Sequence, residues 1–120
     1  MNALLLTYRN LEGIALVGVA GELDATNAHQ LATYIRGQHP DSALPLVLDL
    51  AALTFMDSSG LHLLVDLHHR EEEHGGRLHL AAPHERVMRL LRITGTDLVL
   101  RIHSSLRTAV SAARLTTMAS

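Results

Sequence analysis

Two adjacent hydroxyls, Ser58 and Ser59, stand between an acid and a glycine in the run Phe55-Met56-Asp57-Ser58-Ser59-Gly60-Leu61. An apolar segment, Leu46-Val47-Leu48-Asp49-Leu50, leads into it through Ala51-Ala52-Leu53-Thr54, and an amphipathic pattern begins directly after it. This arrangement puts the serines at a helix N-terminus, among backbone N–H groups that lack an intrahelical partner and at the positive end of the helix dipole. A phosphate, bound or covalently attached, suits that environment. Asp57 and Ser58 are also favoured N-cap types, so capping is the plainer use of the same side chains.

Other chemistries find less support. A hydrolase elbow requires Gly-x-Ser-x-Gly, and Met56-Asp57-Ser58-Ser59-Gly60 lacks the first glycine. No glycine-rich phosphate cradle is present. The nine histidines are spread over the chain without a His-Glu-x-x-His pair, so neither a metal site nor a catalytic residue is expected. Asp24, in Gly21-Glu22-Leu23-Asp24, either caps the first helix or shapes an acidic pocket beside Ser59.

The elements that must position these residues alternate. Residues 4–9 and 14–20 read as strands joined by the turn chemistry of Asn10-Leu11-Glu12-Gly13. Ala28, Leu31, Ala32 and Ile35 recur at helical spacing, with Gly37 and Pro40 as terminators. A strand over 46–50, a helix over 57–74 and a strand over 77–81 follow, then a helix from Pro83 to about Thr94 with Gly95 as its cap. A last strand over 98–102 and a helix through Leu106, Ala109, Val110 and Ala113, fraying after Leu115, close the chain. Strand–helix–strand order implies right-handed crossovers and parallel pairing. The expected fold is α/β: a mixed sheet of four to five strands with about four helices, mainly on one side.

On the helix after the serines, Leu61, Leu64, Val65, Leu67 and His68 share an apolar side. His68 reads as a partly buried, hydrogen-bonded histidine. His62, Asp66, His69 and Glu73 line another side, and with Ser59 they form a candidate partner-binding strip. Glu71-Glu72-Glu73 reads as a solvated helix end.

Composition narrows the function classes. A length of 120 residues suits a single domain over 1–120. A hydrophobic content of 48% and a net charge of −2 argue against disorder and against an electrostatic nucleic-acid binder. All ten basic residues are arginines, and they form no stripe. Without cysteine there is no disulfide, thiol nucleophile or zinc–thiolate centre. With no signal-peptide pattern and no apolar run approaching about 18 residues, the expectation is a cytoplasmic protein without membrane insertion.

The run Leu48-Asp49-Leu50 followed by Phe55-Met56-Asp57-Ser58-Ser59-Gly60-Leu61 resembles the signature of the STAS domain, most closely that of bacterial anti-sigma factor antagonists. Gly21-Glu22-Leu23-Asp24 is similar to the family's acidic turn. Gly75-Gly76-Arg77-Leu78-His79-Leu80 and Val87…Leu90-Leu91…Thr94-Gly95 match its fourth strand and third helix, and Thr96 departs from the apolar residue usual there. The resemblance implies a non-enzymatic switch. The antagonist binds an anti-sigma factor with serine-kinase activity and so frees a sigma factor. It is phosphorylated on the serine matching Ser59, with Asp24, Asp57, Ser58 and Gly60 around the phosphosite, and a serine/threonine phosphatase reverses the modification. It has no cofactor of its own, since ATP belongs to the kinase. Two other uses of the domain remain open: a non-phosphorylated scaffold or accessory subunit, as in a stressosome or lipid-transport complex, and a module binding a nucleotide or other small ligand.

Overall fold

The computed structural model describes residues 3–40 and 44–119, with side chains described as far as Leu115 in the last helix. Strands β1 (Leu5–Leu11) and β2 (Ile14–Leu23) form an antiparallel hairpin. Its turn is tighter than the sequence suggested, only Glu12 and Gly13, at φ 55° and 92°. Two positive φ values match the twist of flanking strands, so pairing continues to Leu11↔Ile14. Helix α1 (Ala28–Gln38) runs through Gly37 to a C-cap at His39. Strand β3 (Leu46–Asp49) then lies parallel to β2.

Strand β4 (Leu53–Met56) is the sixth strand, beyond the four to five expected. Ten-residue β2 outruns four-residue β3, and its last three residues need another partner. A bulge between Gly21 and Glu22 shifts the register, and β4 pairs there in parallel. Gly21 permits the bulge: its φ is 114°, and a Cβ would lie 2.8 Å from the Ala3 carbonyl oxygen. Helix α2 (Ser58–Glu73), strand β5 (Leu78–Ala81), helix α3 (Glu85–Thr94), strand β6 (Arg101–His103) and helix α4 (Leu106–Ala119) complete the chain. The sheet order is β1-β2-β3-β5-β6, with β4 paired to β2 off this path.

The ends of α3 differ from expectation. His84, not Pro83, precedes its first turn as N-cap, and Gly95 closes it in the left-handed conformation. A 3₁₀ turn over Thr96–Leu98 follows, drawing the Leu98 and Val99 amides back to Gly95 and Thr96. Those amides cannot serve a strand, so β6 begins only at Arg101.

Side-chain alternation divides the core between the two sheet faces. Val17, Val19, Leu46, Leu48, Leu78 and Leu80 meet Leu31 and Ile35 of α1, Leu61, Leu64 and Leu67 of α2, and Val87 and Leu91 of α3. On the other face Ile14, Leu16, Val47 and Ala81 meet Ala109 and Ala113 of α4. Among the described residues no helix is long and apolar enough to cross a membrane.

Candidate functional site

β4 delivers the serine run to the start of α2. Asp57 follows the buried Met56 in extended conformation, φ −101° and ψ −171°. Its Oδ1 accepts the Ser59 N–H at 2.9 Å and the Gly60 N–H at 3.2 Å, and its carbonyl accepts the Leu61 N–H at 3.0 Å. Asp57 is therefore the N-cap, with Ser58 and Ser59 as the first two helical residues. Ser58 is exposed and Ser59 half-buried. Gly60 presses α2 onto the strand ends, where a Cβ would come within 2.5 Å of Met56 Cγ and 2.9 Å of Leu23 Cδ2.

The cap changes the electrostatics expected of this site. Two first-turn amides that suit a phosphate already hold the Asp57 carboxylate. A helix N-terminus stabilises an anion by about 0.3–1 kcal/mol. Asp57 already occupies those donors, so a phosphate on Ser59 would have to displace it or hold its own charge outward.

Asp24 lies at the same end of the sheet. The Asp57 N–H donates to the Leu23 carbonyl at 3.1 Å, so Asp24 and Asp57 leave adjacent parallel strands. The Asp24 carboxylate accepts the Thr26 N–H at 2.9 Å and also the Thr26 hydroxyl. Its carbonyl accepts the Ala28 N–H at 2.9 Å. Asp24 thus builds the turn ahead of α1, whose N-cap is Asn27. Buried Asn27 fixes that turn by donating to the Glu22 carbonyl at 2.8 Å.

His62, Asp66 and His69 are all exposed on α2. Asp66 borders a groove between α1 and α2, and His62 and His69 lie outside it. His68 is buried, but its Nδ1 meets no partner among the described residues, so the expected hydrogen bond at that atom is absent. Burial lowers its pKa, against the opposing charge of Glu72.

Glu71 corrects the reading of a solvated acidic helix end. Its Oε1 lies 2.7 Å from His39 Nε2, and the two side chains are 1% and 2% exposed. Glu71 stands seven residues after Leu64 and four after Leu67, on the apolar stripe, and that spacing was the available signal. The pairing with His39 had none. Half-buried Glu72 meets Arg101 of β6 at 2.6 Å, which lowers its pKa although burial acts in the opposite sense. Among the described residues no group of three or more His, Asp or Glu side chains is placed to hold a metal.

Comparison with known proteins gives these features a family. The STAS domain profile matches residues 6–109. The chain is 26% identical over 113 residues to the anti-sigma-F factor antagonist RsfB of Mycobacterium tuberculosis, covering 94% of this chain and 92% of that one. The crystal structure of an anti-sigma factor antagonist from Mycobacterium paratuberculosis superposes with a TM-score of 0.84 at 28% identity, covering 93% and 95% of the two chains. The anti-sigma factor antagonist SpoIIAA, in its unphosphorylated form, shares the fold with a TM-score of 0.72 at 21% identity, covering 93% and 96%. With the profile spanning β1 to α4 and the serine run at the N-terminus of α2, the chain belongs to the STAS domain family.

Proposed function

We propose that this protein is an anti-sigma factor antagonist that acts by binding rather than by catalysis. It binds an anti-sigma factor with serine-kinase activity, so that the sigma factor is freed. The kinase then transfers the γ-phosphoryl group of ATP to Ser59. The Ser59 Oγ bonds to phosphorus, the bond to ADP breaks, and the hydroxyl proton leaves to a base of the kinase or to water. A serine/threonine phosphatase hydrolyses the phosphoester and resets the switch. The main support is the position of Ser59, second in α2 beside the Asp57 cap, in a chain that matches two mycobacterial anti-sigma factor antagonists over nine-tenths of its length.

The switch follows from charge. A phosphate adds about −1.5 to −2 charges and strong acceptors beside Asp57. A partner seated over Ser59 would have to desolvate that charge, and each 1.4 kcal/mol of cost lowers affinity about tenfold. Incubation with the cognate kinase and ATP should add one phosphate, mapped to Ser59 by fragment mass spectra. Calorimetric titration should show that the phosphorylated protein binds the kinase more weakly and that Ser59→Ala binds as the unmodified protein does. Phosphate mapped to Ser58 or Ser104, or equal affinity of both forms, would overturn the reading.

A further inference from the structure

We infer that the groove between α1 and α2 is the docking site for an amphipathic helix of the partner, carrying an apolar ridge flanked by a carboxylate. This rests on the antagonist reading and gives it a surface.

Ser59 stands one turn before Leu63, the first α2 residue that lines the groove. At 100° per residue, Ser59, Leu63, Asp66 and Arg70 fall within a wedge of about 60° on α2. Leu63, Asp66 and Arg70 all line the groove, opposite Ile35 and Arg36 of α1. His62 and His69 are rotated about 60° and 80° from Ser59 toward open solvent. The expected strip therefore divides, with Ser59 and Asp66 on the groove side and the two histidines off it.

Its dimensions and chemistry select the occupant. The groove encloses about 220 Å³. This is below the roughly 300–1,000 Å³ of small-molecule pockets, and it suits a row of side chains entering from above. Ile35, Leu63 and Leu67 supply apolar walls, and the buried His39–Glu71 pair closes the floor with its 2.7 Å contact made internally. Helices recognise such grooves through apolar side chains at i, i+3 and i+4. Arg36 and Arg70 face the groove from opposite walls, and neither forms an ion pair among the described residues. Of the two acids that line the groove among the described residues, Glu71 is bonded to His39, which leaves Asp66 against the two arginines. A carboxylate on the incoming helix is the complement.

Distance separates docking from switching. Arg70 lies eleven residues beyond Ser59, about 16 Å along the helix. That is about two Debye lengths at physiological ionic strength. A phosphate on Ser59 is therefore screened from Arg70, which contributes equally in both states.

The test titrates the purified cognate anti-sigma kinase into the full chain, with calorimetry and methyl NMR as readouts. Arg36→Glu with Arg70→Glu should weaken binding at least tenfold, by the same factor for the phosphorylated and unphosphorylated forms. Signals of Ile35, Leu63 and Leu67 should shift in the wild type. His62→Ala with His69→Ala should change affinity by less than twofold. Arg36→Gln with Arg70→Gln, expected to lose about threefold, serves if the reversed pair melts early. Wild-type affinity in the arginine variants, alongside normal wild-type binding, overturns the groove and leaves the antagonist reading intact. The groove is equally overturned if Leu63 and Leu67 shift with protein concentration alone, which would seat a second copy there. Failure of the wild type to bind any anti-sigma kinase overturns both.

Discussion

The Asp57 carboxylate lies 2.9 Å from the Ser59 amide nitrogen, so the residue that caps α2 holds the backbone of the proposed phosphoacceptor itself. Cap and phosphate draw on the same donors. The unmodified state is thereby ordered, and any charge added at Ser59 Oγ begins in competition with a charge already present.

That competition can be measured directly. Asp57→Ala should cost about 1 kcal/mol of stability, the usual value of an acidic N-cap. Phosphoserine incorporated at position 59 should destabilise the wild-type background and be neutral or stabilising with Asp57→Ala, where the amides are vacated. Denaturant titrations of the four proteins check it. An identical effect of phosphoserine in both backgrounds would exclude competition.

Gly60 tests how tightly α2 is pressed against the strand ends. In an open helix Gly→Ala gains about 1 kcal/mol of propensity. Here the added methyl meets Met56 Cγ and the fully buried Leu23. Met56 can move, but Leu23 is packed on every side, and overpacking costs about 1–3 kcal/mol. Gly60→Ala should therefore destabilise by about 1 kcal/mol in urea titration. A stabilised variant would show that α2 does not bear on Leu23.

Much of this site was legible because its signals are local. The acid before two serines, the 3.6-residue period and Gly95 each act within a few residues, and α2 and the α3 cap followed from them. β4 was hidden because Leu53-Thr54-Phe55-Met56 becomes a strand only through the overhang of β2, thirty residues earlier in the chain. The His39–Glu71 contact was hidden for the same reason, its partners lying 32 residues apart. The acid run concealed Glu71 further, since three adjacent glutamates suggest solvent although only Glu73 is exposed to it. What sequence pattern supplied was the inward faces of α1, α2 and α4; what it withheld was which elements meet.

The His39–Glu71 pair should behave as a structural contact. Removing one member of a buried pair leaves the other without its partner, at a cost of about 3 kcal/mol. Glu71→Ala should lose about that much, and Glu71→Gln less, because an amide can still bond His39 Nε2. Thermal and urea unfolding decide this. A loss below about 1 kcal/mol in Glu71→Ala would mean that the pair's own desolvation cost cancels its attraction.

A pH dependence follows from His79 on β5. Its side chain is buried on the α4 face with Nδ1 3.0 Å from His103 Nε2, and its Nε2 meets no partner among the described residues. Burial, reinforced by His103, Arg101 and Arg77, pushes its pKa from 6.5 down to about 4. The unfolded chain takes up a proton near pH 6.5, whereas the folded chain resists until about pH 4. Stability is therefore full above pH 6.5 and is lost as pH falls toward 4. Between pH 6.5 and 5, above the range where carboxylates protonate, this group alone should cost about 1.5 kcal/mol. His68 and His103, whose pKa values burial also lowers, add in the same direction. Urea titrations at the two pH values should show the decline in the wild type, and His79→Leu should recover most of the share belonging to His79. If the variant declines as steeply as the wild type, the protonation that destabilises the fold lies elsewhere.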